Sequence, residues 1–366
     1  MLDDHLYKSF GLQDILHKVL NRQRLSFQEA LRLWDCENPL LLGQLAHLQR
    51  SRLHGRQTSY VLNQQINYTN ICVNRCLFCS YRRQRGQPGA FELSLEEIRD
   101  KILSSLDQPI SEIHIVGGCH PDLDLDYYLQ LLALAKELRP EAALKCFTAV
   151  EIDHIARQEG LQPEHVLHKL QQAGLQMLPG GGAEIFDPGV RSRICPTKIS
   201  AQRWLEICAA AHSLGIKTNC TMLFGHLETV QDRLSHLLKL REQQDQSQGF
   251  VCFIPLPFQT ENNPLQGVSK ITGLEELKTI ALSRLLLDNI PHIKSYWVML
   301  GLKQAQAALY WGADDLDGTV VEERIGHMAG ADSPQVLSRS QLEEMIQDCD
   351  LVPVQRNARF EQVSPA

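Results

Sequence analysis

Three closely spaced cysteines, Cys72, Cys76 and Cys79, are the residues of this sequence whose types and spacing most clearly indicate chemistry. They lie between a strand-like run, residues 59–68, and a basic stretch that starts after Tyr81. Thiolates are the usual ligands of iron–sulfur clusters, and a cubane cluster takes four of them. A group of three therefore leaves one iron without a protein ligand, and that iron can bind a small molecule.

The spacing Cys-x3-Cys-x2-Cys resembles the signature of radical S-adenosylmethionine (SAM) enzymes, with Phe78 at the aromatic position that this family has just before the third cysteine. The resemblance implies a [4Fe-4S] cluster whose open iron chelates the amino and carboxylate groups of the methionine part of SAM. It also implies that an electron from the cluster cleaves the sulfonium to methionine and a 5′-deoxyadenosyl radical. SAM is then consumed as a co-substrate.

A closed zinc site is the alternative interpretation of the same cysteines, with Cys119 or His120 as the fourth ligand. Zinc knuckles usually bring two ligand pairs at similar spacings, and the sequence offers no second pair here. We therefore favour the cluster and interpret Cys119, which follows Gly117-Gly118, as a thiol at a strand end. The zinc interpretation predicts a metal-stabilised binding module instead of an enzyme.

Length and composition are typical of an enzyme in a reducing compartment such as the cytoplasm. The chain has 366 residues, 43% of them hydrophobic, which suits one barrel-sized domain with a small extension. Its eleven cysteines are an odd number without the spacing of a small disulfide-bonded domain. The first residues are acidic where a signal peptide would be basic, and no apolar stretch reaches the roughly 18 residues of a membrane span.

The formal charge of −7 argues against a nucleic-acid partner, because phosphate binding needs a concentrated basic face. One basic run, residues 82–85, follows the cysteines. This run is either a solvated loop or a binding surface for anionic groups of a substrate.

The hydrophobic pattern divides the chain into three parts: a helical N-terminal extension over residues 1–57, a barrel over 58–330, and a C-terminal helix and tail over 331–366. A capping box that starts at Ser26 marks one helix of the extension. We expect the C-terminal helix, around residues 340–349, to pack outside the barrel.

Within the middle part, strand-like runs alternate with amphipathic segments, several of which begin at helix-start signals such as Ser94 and Thr272. The runs lie at residues 59–68, 112–116, 144–150, 175–179, 216–224, 250–258, 292–300 and, more weakly, 317–321. Eight such units predict an α/β fold, a parallel (β/α) barrel, because parallel strands need crossover helices that cover the sheet.

Polar and glycine-rich segments recur at the predicted carboxyl ends of these strands, where (β/α) barrels carry their active sites. One such segment alone is weak evidence, since glycines are ordinary turn residues. Their recurrence directly after the strand in successive strand–helix units is stronger evidence for a site. The segments are residues 72–79, 117–121, 148–151, 180–184, 225–228 and 259–263.

Across nearly the whole chain, and most clearly over residues 60–335, the sequence resembles the aminofutalosine synthases, radical SAM enzymes of the futalosine route to menaquinone. Two sister groups share the cysteines and much of residues 180–184: the cyclases that act on dehypoxanthine futalosine, and the deazaflavin-precursor synthases. The departures from the pattern are Cys119 and Asn357. The matching blocks are residues 66–72, 113–118, 147–151, 179–185, 221–228, 253–256 and 314–319.

The resemblance implies that the 5′-deoxyadenosyl radical adds to the vinyl carbon of 3-[(1-carboxyvinyl)oxy]benzoate. Aryl migration from oxygen to carbon, loss of the carboxyl carbon and return of one electron then give 6-amino-6-deoxyfutalosine. The electron comes from a reducing protein such as a flavodoxin or a ferredoxin. A cyclase-like reaction, in which the radical abstracts hydrogen and free 5′-deoxyadenosine is released, is the runner-up.

The substrate carries two carboxylates, and the best matches among side chains are fixed cations, arginine above all. Our candidates for catalytic groups are Arg82, His120 and His226, the last because a histidine in a strand-end loop is less easily explained as core packing. A hydrogen-bonded structural histidine is the alternative for His226. Further cations, for which a solvated helix face is an equally good explanation, are Arg191, Arg193 and Lys198.

For SAM itself, the family pattern implies four contacts. Gly117 and Gly118 let the backbone approach the methionine amino group, Phe78 packs by the adenine, and Glu184 accepts hydrogen bonds from the ribose diol. The alternative for Glu184 is a carboxylate stabilised by the N-terminus of a helix.

Overall fold

Parallel strands and helices alternate from residue 57 onward in the structure, a computed structural model that describes residues 2–320 and 324–363. Every predicted strand-like region contains a strand, and Val321, at the end of the eighth, lies outside the described residues. The strands are β1 (Gln57–Val61), β2 (Asn63–Ile66), β3 (Glu112–Ile115), β4 (Ala143–Cys146), β5 (Met177–Leu178), β6 (Lys217–Phe224), β7 (Phe250–Pro257), β8 (His292–Ile293), β9 (Asp315–Gly318) and β10 (Val352–Arg356).

Two parallel sheets share these strands. β2 to β8 form a seven-stranded sheet in sequence order, and β10, β1 and β9 form a three-stranded sheet in that order. Only Leu62 separates β1 from β2, so one extended segment pairs with β9 through β1 and with β3 through β2. Lys294, next to β8, forms a parallel bridge to Asp315 in β9, so β9 lies between β8 and β1. The predicted α/β barrel is confirmed.

Two predicted strands are wrong at their carboxyl ends, because helices begin there. The expected strand over 144–150 ends at Cys146, and a helix starts at Ala149 with the Thr148 side chain as its cap. The expected strand over 292–300 ends at Ile293, and Trp297–Leu300 is helical. A short apolar run does not distinguish a buried strand from a buried helix, which explains both errors.

Helices cover the outside of the ring and form the N-terminal extension. The predicted capping boxes at Ser26 and Ser94 are present, and Thr272 accepts a hydrogen bond from the amide of Glu275. The helices are α1 (Asp4–Ser9), α2 (Gln13–Leu20), α3 (Phe27–Asp35), α4 (Pro39–His54), α5 (Leu95–Leu103), α6 (Leu125–Leu138), α7 (Ala149–Glu159), α8 (Pro163–Gln172), α9 (Pro188–Ile194), α10 (Ala201–Ser213), α11 (Val230–Ser247), α12 (Gly273–Leu286), α13 (Trp297–Leu300), α14 (Leu302–Leu309), α15 (Ile325–Met328) and α16 (Arg339–Gln347).

The N-terminal helices pack against the barrel, α4 against α12 and α3 against α11. Arg50 of α4 is fully buried, and its guanidinium donates to the carbonyl of Gln57 and the hydroxyl of Thr58 at the start of the first strand. A buried cation with all-backbone and hydroxyl partners fixes the extension to the barrel wall. Among the residues that the structure covers, none of the helices is both long and apolar enough to cross a membrane.

The C-terminal segment adds a strand to the outside of the ring. After α16, β10 pairs in parallel with β1 over residues 352–356. Arg356 at its end is buried, and its guanidinium nitrogens lie 2.6 and 2.9 Å from the carboxylate oxygens of Asp315. This bidentate contact ties the C-terminus to the inner strand β9.

Candidate functional site

A cavity of about 360 Å³ opens at the carboxyl ends of the strands, and the three cysteines line it. The loops after β2, β3, β4, β5 and β7 contribute to the lining, as the recurrence of polar segments predicts. The predicted segment 225–228 does not line the cavity, and β6 contributes side chains of the strand itself instead. The site residues predicted from the sequence that line this cavity are Cys72, Cys76, Cys79, Phe78, Arg82, Gly117, Gly118, Glu184 and Lys198.

Backbone hydrogen bonds hold the cysteine loop on two sides. On one side, the amide of Val73 donates to the carbonyl of Cys119 across 3.0 Å. On the other, the amide of Leu77 donates to the carbonyl of Ile194 across 2.8 Å, which joins the loop to the end of α9. The positions of the thiols therefore depend on segments that lie about 45 and 120 residues further along the chain.

The surroundings of the three thiols differ. Hydrogen bonds from Cys119 lower the pKa of the Cys72 thiol to about 6, and one of them is the Cys119 amide at 3.3 Å from the Sγ atom of Cys72. Burial raises the pKa of Cys76 to about 12 and also raises the pKa of Cys79. Thiolates at the latter two positions therefore need a cation beside them, which an iron cluster provides.

The three cavity thiols are not grouped as closely as the ligands of a single metal ion. A tetrahedral zinc ion with Zn–S bonds of about 2.3 Å places its sulfur ligands about 3.8 Å apart. Within residues 2–320 and 324–363, one group of three metal-binding side chains has ligand atoms within 4.8 Å of one another: His54, His292 and Asp314. The three cavity cysteines do not meet that distance. The donor set, three thiols around one open cavity, fits a cluster with one iron left for a ligand.

Gly117 and Gly118 allow close approach of two chain segments. A Cβ atom at Gly118 would lie 2.2 Å from the carbonyl oxygen of Ile71, and one at Gly117 would lie 2.7 Å from the ring of Tyr68. A side chain at Gly118 would displace the cysteine loop, and one at Gly117 would displace the Tyr68 ring. The two glycines therefore bring the backbone after β3 directly against that loop.

Phe78, Glu184 and Lys198 form one group on the wall of the cavity. The ammonium of Lys198 lies 2.6 Å from a carboxylate oxygen of Glu184 and 5.3 Å from the ring centre of Phe78. Glu184 has a left-handed backbone, with φ +52°, in the turn after the three glycines. Lys198, a candidate for substrate binding, is thus already paired with the predicted ribose ligand.

The three candidate arginines have different surroundings. Arg82 lines the cavity, and its Nε donates to the carbonyl of Cys72 across 3.3 Å. Arg191 is buried and donates to the carbonyls of Gly182, Ala183 and Ile199, so it holds the glycine loop instead of facing the main cavity. Arg193 is exposed on the same helix, α9.

His120 and His226 do not line the cavity. His120 is buried with its Nε2 atom 2.8 Å from Glu92, and its Nδ1 accepts from the amide of Asp122. The side chain of His226 is buried, with its Nδ1 2.9 Å from Glu228 and its Nε2 3.0 Å from the carbonyl of Leu223. The ring of His226 contacts its own loop, and the ring of His120 contacts its own loop and Glu92 before α5, so the structure does not bring them together with the cysteines.

Glu151 is a cavity residue that the sequence marks only as part of the polar segment 148–151 and of the matching block 147–151. Its carboxylate accepts from the Tyr68 hydroxyl at 2.8 Å and from the Gly117 amide at 3.0 Å, while it also caps α7 through Thr148. Burial raises its pKa to about 7. It therefore couples three loops around the cavity through one buried carboxyl group.

The lower part of the cavity is lined by polar side chains of the strands themselves, which sequence reasoning did not single out. Their period of two along β2 and β6 is the signal that marks inward positions, but polar residues inside a barrel are not expected from hydrophobicity. These residues are Asn63, Gln65, His114, Lys145, Asn219, Thr221, Lys294 and Asp317.

Two family models match the chain. The model of the radical SAM superfamily matches residues 66–240, and the model described as the CofH/MqnC C-terminal region matches residues 247–365. The first match contains the cysteine loop and β3 to β6, and the second contains β7 to β10.

Curated relatives match over nearly the full length. The chain is 43% identical to an aminodeoxyfutalosine synthase of Thermus thermophilus, with 95% of each chain covered. It is 41% identical to an aminodeoxyfutalosine synthase of Streptomyces coelicolor, over 95% of this chain and 93% of the relative. A 5-amino-6-(D-ribitylamino)uracil–L-tyrosine 4-hydroxyphenyl transferase of Methanopyrus kandleri is 37% identical over 89% of this chain and 90% of its own.

The fold also has solved counterparts. The crystal structure of methylornithine synthase superposes with a TM-score of 0.74 over 92% of this chain and 96% of that chain, at 18% identity. At this identity the likeness concerns the fold alone. Together with the family models and the relatives, it leads to one conclusion: the chain belongs to the radical SAM superfamily, in the branch that includes the aminodeoxyfutalosine synthases, and uses the [4Fe-4S] cluster and SAM of that superfamily.

Proposed function

We propose that this chain is an aminodeoxyfutalosine synthase, which joins the 5′-deoxyadenosyl group of SAM to 3-[(1-carboxyvinyl)oxy]benzoate. The observation that carries the proposal is the 43% identity over 95% of the chain to an enzyme of that name. The cavity supports it, because the cysteines stand at the mouth of a chamber that is lined by apolar walls and a polar floor.

Cys72, Cys76 and Cys79 are the proposed ligands of the cluster. When bound, the cluster supplies one electron that splits SAM into methionine and the 5′-deoxyadenosyl radical. The chain's part is to hold the three sulfur atoms in place through the hydrogen bonds of the cysteine loop and the Cys119 amide. Phe78, Gly117, Gly118 and Glu184, on the same wall, are the proposed SAM contacts.

The proposed reaction balances without a further oxidant. A carbon–carbon bond forms between C5′ of the nucleoside and the vinyl carbon, and the aryl group moves from oxygen to the adjacent carbon. The carboxylate of the enolpyruvyl group leaves with water as bicarbonate, and the electron that was taken up is returned. Each turnover therefore consumes one SAM, one substrate and one water, and yields one product, one methionine, one bicarbonate and one proton.

The apolar walls of the cavity suit a reaction that must exclude water. A primary alkyl radical abstracts hydrogen from almost any neighbour, so the site must hold the alkene in place and exclude water. Arg82, at the mouth beside Cys72, is the proposed partner of the enolpyruvyl carboxylate. The apolar lining includes Val116, Val150, Pro179, Leu223, Ile254, Leu256, Phe258 and Met299.

The two histidines are assigned to positioning. His120 supports the loop that contains Gly117 and Gly118, and His226 supports the loop after β6. Neither reaches the cavity, so each acts through the backbone of its loop.

A reducing compartment such as the cytoplasm suits an enzyme with eleven free cysteines and an oxygen-sensitive cluster. A flavodoxin or a ferredoxin is the proposed electron donor, since both deliver single electrons at low potential.

The test uses protein purified and reconstituted without oxygen. We expect about four irons and four sulfides per chain, a brown colour that reductant bleaches, and an adenine-containing adduct from the enolpyruvyl benzoate. Serine at Cys72, Cys76 or Cys79 should remove both iron and product, while Cys349→Ser, outside the cavity, should keep both.

Two other outcomes have clear meanings. Free 5′-deoxyadenosine without adduct would indicate a cyclase-like reaction. A colourless protein with one zinc, which unfolds on addition of a chelator, would indicate the binding module.

A further inference from the structure

Below the cysteines, polar side chains line the interior of the barrel, and they are not among the proposed contacts of the cluster and SAM. Gln65, His114 and Lys145 are register partners on the adjacent strands β2, β3 and β4. Register partners in a parallel sheet point to the same face, and all three side chains line the cavity. They form one layer across its floor, and we call His114 and Lys145 the floor pair.

Three cations and three carboxylates meet below the cavity, and Lys145 has one of these carboxylates beside it. Its ammonium forms an ion pair with Glu112, but Glu112 also lies 3.7 Å from the guanidinium of Arg356. The other lysine of the floor, Lys294, is bracketed by two carboxylates, Asp317 and, at 3.5 Å, Asp315. Lys145 thus shares its one carboxylate with a second cation. Consistent with this, burial lowers the pKa of Lys145 in spite of Glu112.

Two further polar atoms of the floor lack partners. The Nε2 atom of His114 and the Oδ1 atom of Asn219 are buried and form no hydrogen bond to any residue within 2–320 and 324–363. Burial, reinforced by the charge of Lys145, lowers the pKa of His114 to about 3, so its ring is neutral and offers one N–H donor. Buried polar groups in native proteins nearly always have a partner, so unpaired ones inside a cavity indicate a ligand.

We propose that the floor pair, Lys145 and His114, binds the ring carboxylate of an aryl carboxylate substrate. The inference rests on the proposed function. The alkene of the substrate must meet the nucleoside carbon at the cysteine end of the cavity, and the ring carboxylate lies at the opposite end of the molecule. With the alkene at the mouth and the aromatic ring between the apolar walls, the ring carboxylate points to the floor.

This arrangement predicts that the two cationic positions bind different carboxylates of the substrate. Arg82, at the mouth, meets the carboxylate that is lost, and the floor pair meets the carboxylate that the product keeps. A contact to the retained group orients the ring throughout the aryl migration. It also selects a benzoate over an unsubstituted phenyl ether.

The experiment compares two ligands on the oxidised, cluster-loaded enzyme with SAM present, where binding occurs without turnover. One is 3-[(1-carboxyvinyl)oxy]benzoate, and the other is 2-phenoxyacrylate, which lacks the ring carboxylate. Dissociation constants are measured by anaerobic calorimetry for the wild type, Lys145→Met and His114→Phe. Lys169→Met, at an exposed position of α8, is the matched control.

We expect Lys145→Met and His114→Phe each to weaken binding of the benzoate by at least about tenfold and to leave binding of 2-phenoxyacrylate unchanged. An equal loss for both ligands, or no loss for either, overturns the inference. Because Lys145→Met leaves Glu112 with less compensation, Glu112→Gln/Lys145→Met is made in parallel, and the same criterion applies. If none of the three variants retains iron and SAM binding, the floor pair is structural and the inference falls.

The wild type separates this inference from the proposed function. If the reduced wild type makes no adduct from the benzoate, the proposed function falls whatever the variants do. If it makes the adduct and the floor variants lose both ligands equally, only the floor subsite falls.

Discussion

The backbone amide of Cys119 donates a hydrogen bond to the Sγ atom of Cys72 across 3.3 Å. The contact joins the loop after β3 to the first cysteine of the cluster-binding loop, and it depends on Gly118, where the two backbones meet. Hydrogen bonds to ligand sulfur atoms are among the means by which a protein adjusts an iron–sulfur cluster. The glycine pair after β3 is therefore part of the cluster site even though it supplies no ligand.

Gly118→Ala should lose most of the bound iron. Its Cβ would lie 2.2 Å from the Ile71 carbonyl oxygen and 2.9 Å from the Cβ of Cys72, so the cysteine loop must move. Iron and sulfide analysis after anaerobic reconstitution measures the effect. Gly189→Ala is the control, because its Cβ meets only a side-chain oxygen at 3.2 Å. Full iron content in Gly118→Ala would contradict the close approach.

Arg191→Lys should weaken SAM binding roughly tenfold and destabilise the fold by about 2 kcal/mol. The guanidinium holds the carbonyls of Gly182 and Ala183 on one side and Ile199 on the other, and an ammonium cannot span them. SAM affinity and the urea midpoint are the measurements. Arg193→Lys, exposed on the same helix, should change neither. Unchanged SAM affinity in Arg191→Lys would show that the glycine loop does not need this anchor.

Glu228→Gln should reduce the free energy of unfolding by about 3 kcal/mol at pH 7. Glu228 is buried, accepts from the amides of Gly225 and His226, and pairs with Arg233 at 2.7 Å. Burial alone would raise its pKa, but the hydrogen bond and charge of His226 and the charge of Arg233 lower it to about 2.

The lowered pKa of Glu228 also sets the sign of the pH dependence of stability. A carboxyl whose pKa is lower in the folded than in the unfolded state stabilises the fold above its unfolded pKa, and the contribution is lost as the pH falls. The difference between wild type and Glu228→Gln should therefore be constant above about pH 5 and should shrink between there and pH 2. Urea unfolding over this range measures it, with the exposed Glu242→Gln as control. A difference that grows on acidification would contradict the assigned shift.

Arg356→Met should destabilise the protein by about 3 kcal/mol or more, because it leaves Asp315 and Glu112 buried with one cation fewer. The loss should loosen β10 from β1, and hydrogen exchange of the β10 amides reports this directly. Arg359→Met, an exposed arginine three residues on, is the control. Equal protection of β10 in both variants would show that strand pairing alone holds the C-terminus.

Local signals in the sequence were sufficient for much of the fold. Ser26 and Ser94 begin the helices that their capping boxes predict, and the eight strand regions occur in the predicted order. Each of these features depends on residues close together in the chain. The two errors, at residues 144–150 and 292–300, fall where an apolar run continues from a strand into a helix.

Side-chain contacts could not be predicted from such local signals. His226 follows a strand like a catalytic residue, yet its ring is engaged by Glu228 and by the carbonyl of Leu223. Arg191 has the chemistry of a carboxylate binder but is used on backbone carbonyls. Whether a polar side chain faces a ligand or its own loop is decided by a few ångströms of tertiary geometry.

The sequence by itself determined the cysteine trio, the order of strands and helices, and the family, because these features are carried by spacing along the chain. The tertiary structure alone decided which polar groups share the cavity. His114 and Lys145 are 31 residues apart and become neighbours only through the register of β3 and β4. Register is set by the packing of the whole ring, so the floor of the site exists only once the barrel has formed.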